Sequence, residues 1–245
     1  MGDFWGYEVD GIFGTQAEID VLTYTEDSIT YYQTYGPTVG PGDYRFKDQL
    51  TVDTDGDGIA DASDGKIDEN DKVKIGSPYP DFTLGFSGDL SYKGFDLILF
   101  LYWNHGNEIF NTVKAFTETP YEQTNMVSYM LTDAWRPDNP DATIAQLGGD
   151  RQNNYARASD AYIEDGSFLR FKNISIGYTL PKTVSRKIGM EKLRFYAALQ
   201  NYFTITKYTG RDPELGSTWG VFVQKADLGN YTLPKTMNFG INATF

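Results

Sequence analysis

The stretch Lys235 to Phe245, KTMNFGINATF, alternates without a break. Met237, Phe239, Ile241, Ala243 and Phe245 fall on one side of an extended strand. Thr236, Asn238, Gly240, Asn242 and Thr244 fall on the other. Strand side chains point to opposite faces with a period of two, so one face is greasy and the other is small and polar. A transmembrane β-barrel strand carries this pattern, with lipid outside and a wet lumen inside. The half-buried strand of a soluble sandwich alternates as well. The segment alone leaves both architectures open.

Composition narrows the choice. The 245 residues suffice for one large β domain or two small ones. The chain holds 18 Tyr and 16 Phe, which favour strands, and 25 Gly, which supply turns. No apolar run reaches the roughly 18 residues of a transmembrane helix. The negative mean hydropathy is no objection to a barrel, because half of each spanning strand is polar. Cysteine is absent, which excludes a disulfide framework and thiol chemistry. A net charge of −13 argues against a nucleic-acid partner and suits divalent cations or a solvated exterior. The opening residues MGDFWGYEVDGIF lack the basic start, apolar core and small-residue cleavage site of a signal peptide. An export signal is therefore expected elsewhere, as in a C-terminal piece of a longer protein.

Six segments read as strands: 4–10, 80–92, 94–104, 167–180, 192–202 and 235–245. In the second, Phe82, Leu84, Phe86, Leu90 and Tyr92 share a face, and in the third Phe95, Leu97, Leu99, Leu101 and Trp103 do. The phase slips near Phe171, which predicts a β-bulge there. Trp5, Tyr92, Trp103 and Tyr178 sit near strand ends, where interfacial aromatic girdles belong. The connections are sorted by length. The turn at 91–94 and the basic segment 181–191 are short, whereas 11–79, 105–166 and 203–234 are long. If Phe245 ends on the periplasmic side, both short turns land there and the three long loops land outside. Outer-membrane barrels have this asymmetry, and a sandwich has no reason for it. Six strands fall short of the smallest membrane barrels, which need about eight. The expected fold class is therefore all-β, an antiparallel transmembrane β-barrel, with this chain supplying its C-terminal strands.

The first long loop contains DTDGDGIADASD, residues 53–64. Calcium loops of EF-hand type take ligands from positions 1, 3, 5, 7, 9 and 12, with glycine at 6. Those positions hold Asp53, Asp55, Asp57, the carbonyl of Ile59, Asp61 and Asp64, with Gly58 at the turn. The expected ion is Ca²⁺ in a loop-ordering role. Asp64 is shorter than the usual Glu, which makes bidentate closure harder, and no amphipathic helix precedes Asp53. An acidic, solvated turn without metal is the plainer alternative. A second acidic stretch, 64–71, overlaps and offers shared ligands. His105 is the single histidine, so zinc is not expected, and no nucleophile elbow or nucleotide fingerprint is present. Catalysis is not expected. Trp135, Trp219 and Tyr231 are candidate sugar-stacking residues, with loop packing as the plainer role.

Several motifs in one order then resemble a known family. They are DGKIDENDKVKIGSPYPDFTLGFSGDLSYKGFDLILFLYWNHGNEIFN, DAWRPDNPDATIAQL, ASDAYIEDGSFLRFKNISIGYTLPK, LRFYAALQNYFTITKYTGRDPELG and LPKTMNFGINATF. Together with GYEVDGIF near the start they resemble the SusC/RagA family of TonB-dependent outer-membrane transporters. The resemblance implies a barrel of about 22 strands around an N-terminal plug, of which this chain is the closing part. It implies import of glycan fragments or peptides, energy through TonB acting on the plug, and a SusD-like lipoprotein capping the extracellular face. It also implies that Phe239, Ile241, Ala243 and Phe245 form a signal for the barrel-assembly machinery while facing lipid. The acidic loop departs from the shorter D-x-N-G-D-G-x-I-D form usual in the family. Plug, TonB-contact segment and early strands are not among the 245 residues, so transport by this stretch alone is not expected. The rival function is a soluble extracellular β-sandwich that binds carbohydrate with calcium.

Overall fold

The computed structural model describes residues 2–26, 29–32, 39–118, 125–148, 154–155, 157–214 and 225–245. The strands are β1 (Phe4–Gly6), β2 (Val9–Ile12), β3 (Thr23–Glu26), β4 (Ile29–Tyr32), β5 (Tyr44–Phe46), β6 (Val73–Gly76), β7 (Phe82–Tyr92), β8 (Phe95–His105), β9 (Glu108–Phe110), β10 (Ile163–Asp165), β11 (Phe168–Thr179), β12 (Lys192–Thr206) and β13 (Thr236–Thr244). The chain divides into two units. One comprises Met1–Pro78, Ile109–Glu164 and Ser217–Gly229; the other comprises Tyr79–Glu108, Asp165–Gly216 and Asn230–Phe245.

The second unit is a five-stranded antiparallel sheet in the order β13-β12-β11-β8-β7. Its strands run 11, 11, 12, 15 and 9 residues in chain order. These lengths meet or slightly exceed the roughly 9–11 residues that span hydrocarbon when tilted. Lys93 and Gly94 join β7 to β8 with φ of 46° and 88°. Two left-handed residues make the tight turn whose twist matches a hairpin, and glycine takes the second place without a Cβ clash. The register keeps like with like: Leu84 faces Trp103, Leu90 faces Leu97, and Tyr92 faces Phe95. The pairing of β11 with both neighbours shifts between Phe171 and Asn173, where the sequence phase slips. This bulge lets Phe171 and Ile174 stay on one face despite their odd spacing.

The two faces of this sheet are unlike. Leu84, Phe86, Leu90, Ile176, Phe203, Ile205, Met237, Phe239 and Ile241 are exposed on one side. A monomeric soluble protein rarely leaves so wide an apolar patch uncovered, and a sandwich buries that face against a second sheet. This exposure sets the sandwich fold aside. Aromatic clusters mark both ends of the apolar face. Phe95 and Tyr178 meet at 4.5 Å beside the short turn, and Phe82 meets Trp103 edge-on at 5.0 Å at the far end. His105 closes β8 and packs on Phe82 at 5.1 Å as a rim residue.

The segment 4–10 does not join this sheet. It splits into β1, which pairs with β6, and β2, which pairs with β5. The reason lies at Tyr7 and Gly6. Tyr7 is buried in a core with Tyr44, Phe46, Ile67 and Ala145. A Cβ at Gly6 would run into the Ala158 backbone and the Ile75 side chain. Trp5 accordingly belongs to this first unit and not to an aromatic girdle. A second small core gathers Phe13, Ile19 and Val39. The Arg157 guanidinium lies 5.0 Å from both the Tyr7 and Phe46 rings. Much of what reads as long loop is therefore folded around its own interior. β3 pairs with β4, and β9 with β10.

Candidate functional site

The face of the sheet opposite the apolar one carries Thr83, Ser87, Asp96, Ser175, Arg194, Thr204, Asn238 and Asn242. Its best-defined feature is an ion pair that steps over a strand. Arg194 on β12 donates from Nε and Nη2 to the two carboxylate oxygens of Asp96 on β8, at 2.9 and 2.5 Å. β11 runs between them and presents Gly177 at that point. A Cβ at Gly177 would stand 2.6 Å from Asp96 Oδ1, so only glycine leaves room for the bridge. The same device recurs one strand further on. Tyr196 lies across Gly240 of β13, filling the space a Cβ would take. The Arg194 guanidinium sits 5.1 Å from the Tyr196 ring. Two glycines thus let long polar side chains lie flat along the wall.

Toward the long-loop end, a second network binds the segment after β12 to the same face. Arg170, 3% exposed, donates to Asp212 at 2.5 Å, to Glu214 at 2.6 Å and to Thr204 Oγ1 at 3.0 Å. Lys172 reaches both oxygens of Glu214 at 2.5 and 2.7 Å. Two cations and two carboxylates balance, as groups taken from water must. Neither network was legible as a pair from spacing alone. What β11 does signal is basic residues, Arg170 and Lys172, inside an otherwise spanning strand.

The acidic loop belongs to the first unit. A bridge between Val52 and Ala62 closes its base. Asp53 accepts from the backbone N–H of Gly56 at 2.7 Å and of Gly58 at 2.8 Å. Both glycines have left-handed φ, of 80° and 87°. The Gly58 and Gly56 amides hold the Asp53 carboxyl below its ordinary range. Asp55, Asp57 and Asp53 each place a carboxylate oxygen within 4.8 Å of the others, and all three are exposed. Hard oxygen donors so grouped suit Ca²⁺. The cluster stops there. Asp61 is turned to Thr54, accepting from its N–H at 2.9 Å and from its hydroxyl. Asp64 accepts from the Lys66 N–H at 2.9 Å, and Ile59 donates its N–H to Asp57 at 2.8 Å. Of the five expected carboxylate ligands, three fall into one group.

Trp135 is buried, at 7% exposure, which fits loop packing. Tyr231 is fully exposed, and Trp219 lies outside the described residues. Phe239, Ile241 and Phe245 are exposed, and Ala243 falls in the same row on β13.

An antiparallel sheet with spanning-length strands, a bare apolar face and an opposite face that mixes charged and polar residues with Ile98 and Phe100 is a segment of a transmembrane β-barrel wall. No protein-family model matches the chain. Over 254 residues, covering 100% of the chain, it is 32% identical to TonB-dependent receptor P3 of Formosa agariphila. It is 30% identical to TonB-dependent receptor SusC of Bacteroides thetaiotaomicron over 208 residues, or 83% of the chain. It spans about a fifth of these curated relatives, 22% and 18% of their lengths. Among solved structures it is similar to the RagAB peptide transporter, with a TM-score of 0.69 and 26% identity over 99% of this chain and 23% of that one. The chain belongs to the SusC/RagA family of TonB-dependent receptors, as a portion of the barrel. None of these relatives is named as an enzyme.

Proposed function

We propose that this chain forms the C-terminal part of an outer-membrane TonB-dependent active transporter that imports glycan oligosaccharides or peptides. The observation that carries the reading is the contrast between the two faces of the five-stranded sheet. The bare apolar face meets lipid, and the face with Asp96, Arg194 and Tyr196 lines the passage. The hairpin at Lys93–Gly94 and the short segment 180–191 lie at the periplasmic end. The long connections lie outside, where a SusD-like lipoprotein would cover them. TonB acts through a plug, which is not part of this stretch. The barrel-assembly machinery reads Phe239, Ile241, Ala243 and Phe245. The likeness to the RagAB peptide transporter favours peptides, and glycan oligosaccharides are kept as the second class that the motif resemblance implies.

This stretch has no cysteine, so single cysteines can be placed in it for labelling within the full-length receptor once any cysteine elsewhere in that receptor has been replaced. A fluorophore at Leu97→Cys or Phe239→Cys should be quenched by brominated lipid. One at Ser87→Cys or Asn238→Cys should react with a membrane-impermeant maleimide instead. Equal behaviour of the two sets would sink the barrel-wall reading.

Within the same proposal, the loop of Asp53, Asp55 and Asp57 binds Ca²⁺ and is ordered by it. The shared reach of three carboxylates and the depressed Asp53 carboxyl support this. Calorimetric titration of the full-length receptor with Ca²⁺ should give heat that Asp55→Ala abolishes. No heat, or heat unchanged in the variant, removes calcium from the account.

A further inference from the structure

A cavity of about 200 Å³ opens in the sheet unit where β13 stops pairing with β12. The last pair of that ladder is Gln200 with Thr236. Beyond it β12 continues to Thr206, and the vacated edge is faced by the segments around Arg211 and Leu233. The lining includes Arg170, Asn201, Thr204, Arg211, Asp212 and Lys235.

Charge is not balanced there. Arg170 and Asp212 neutralise each other and, with Lys172 and Glu214, form the closed network described above. Arg211 and Lys235 are exposed and have no carboxylate within ion-pair range among the described residues. Two uncompensated cations on one small cavity are a local reversal in a chain of net charge −13. Asn201 lines the same cavity. Its φ of 52° belongs to the bulge at which β12 sets Asn201 and Tyr202 against Lys172 of β11, and asparagine takes that conformation more readily than most residues. Its half-buried amide makes no hydrogen bond among the described residues, which leaves it available at the cavity wall.

We infer that this cavity is a subsite for the carboxylate of a substrate, held by Arg211 and Lys235 and oriented by the Asn201 amide and the Thr204 hydroxyl. The volume admits one acidic end group and not a chain. Such a carboxylate comes either from the free C-terminus of a peptide or from an acidic sugar. The inference rests on the proposed transporter, since it requires this face to line the passage.

The test is direct binding to the full-length receptor in detergent, by calorimetry. Tetra-alanine with a free C-terminus is compared with its amide, and digalacturonate with its methyl ester. The wild-type receptor should bind one charged probe at least tenfold tighter than its neutral partner, and that pair identifies the source. In the double variant Arg211→Gln, Lys235→Gln the ratio should fall to about one, with the neutral probe unaffected. Ratios of one for both pairs in the wild type, or an unchanged ratio in the variant, overturn the inference. Heat-modifiable migration of the variant confirms that the barrel is intact. A folded barrel with a ratio of one sinks the subsite alone, whereas failure of the labelling experiment above sinks the transporter reading with it.

Discussion

The two units solve the same problem in opposite ways. In the first, Tyr7, Phe13, Tyr44 and Phe46 are buried, and Asp53, Asp55 and Asp57 are exposed. In the second, Leu84, Phe86, Phe239 and Ile241 are bare, while Arg170 is sealed in a salt-bridge network. One unit gathers apolar side chains into closed cores, and the other leaves them bare along one face of its sheet. The same residue types change places because the surroundings change, and burial near each residue reports which solvent that unit was made for.

The comparison can be broken most forcefully in the first unit. Phe13→Ala should cost about 3–5 kcal/mol of that unit's stability, as a cavity in a closed core does. It should leave the heat resistance of the barrel unchanged. Limited proteolysis beside gel migration reads both, and coupled loss would mean that the units do not stand separately. Next comes the sheet. Leu99→Arg, on the apolar face near mid-strand, should cost about 2–4 kcal/mol in denaturant unfolding from lipid vesicles. Ser87→Arg, on the opposite face of the neighbouring strand, should stay within about 0.5 kcal/mol. Gly177→Ala should cost roughly 1–3 kcal/mol by driving a methyl into the Asp96–Arg194 bridge, and Gly177→Ala made in an Asp96→Ala background should cost less. The smallest effect is one of pH. Glu118 is buried in the first unit, and desolvation raises its carboxyl above the ordinary 4.5, although the Tyr129 O–H donates to it at 2.7 Å. Between those two values the folded unit keeps a proton that the unfolded chain has lost. Its stability therefore falls as pH climbs through that window and levels off above the folded value. Glu118→Gln keeps the acceptor for Tyr129 and should flatten the slope in thermal melts taken across mildly acidic pH.

The sheet was largely legible because its signal is local. Period-two alternation in 80–92, 94–104 and 235–245 needs no partner to be seen, and the slip at Phe171 appears as a bulge in both ladders. The first unit was not legible. Its strands β1, β2, β5 and β6 run only 3 or 4 residues, too short to show a period. Its core joins Tyr7 to Ala145 across most of the chain. The acidic loop falls between these cases. Its glycine turns and the grouping of Asp53, Asp55 and Asp57 follow from sequence spacing. The turn of Asp61 to Thr54 depends on a competing hydroxyl that a spacing rule does not weigh. The anion subsite rests on Arg211 and Lys235, 24 positions apart, brought together only by the edge where β13 leaves β12.

The turn at Lys93 and Gly94 also bears on time. Its two positive-φ residues let β7 close on β8 through 11 register pairs with almost no chain to loop out. β11 must instead find β8 across the whole of 106–167. Closing a long loop costs entropy before any contact repays it. The hairpin should therefore be the first part of this sheet to gain hydrogen-exchange protection during refolding, with β11 later. Replacing Gly94 with valine, which resists left-handed φ, should delay both steps. Simultaneous protection of β7, β8 and β11 in pulse-labelling experiments would show that the order is set by something other than the turn.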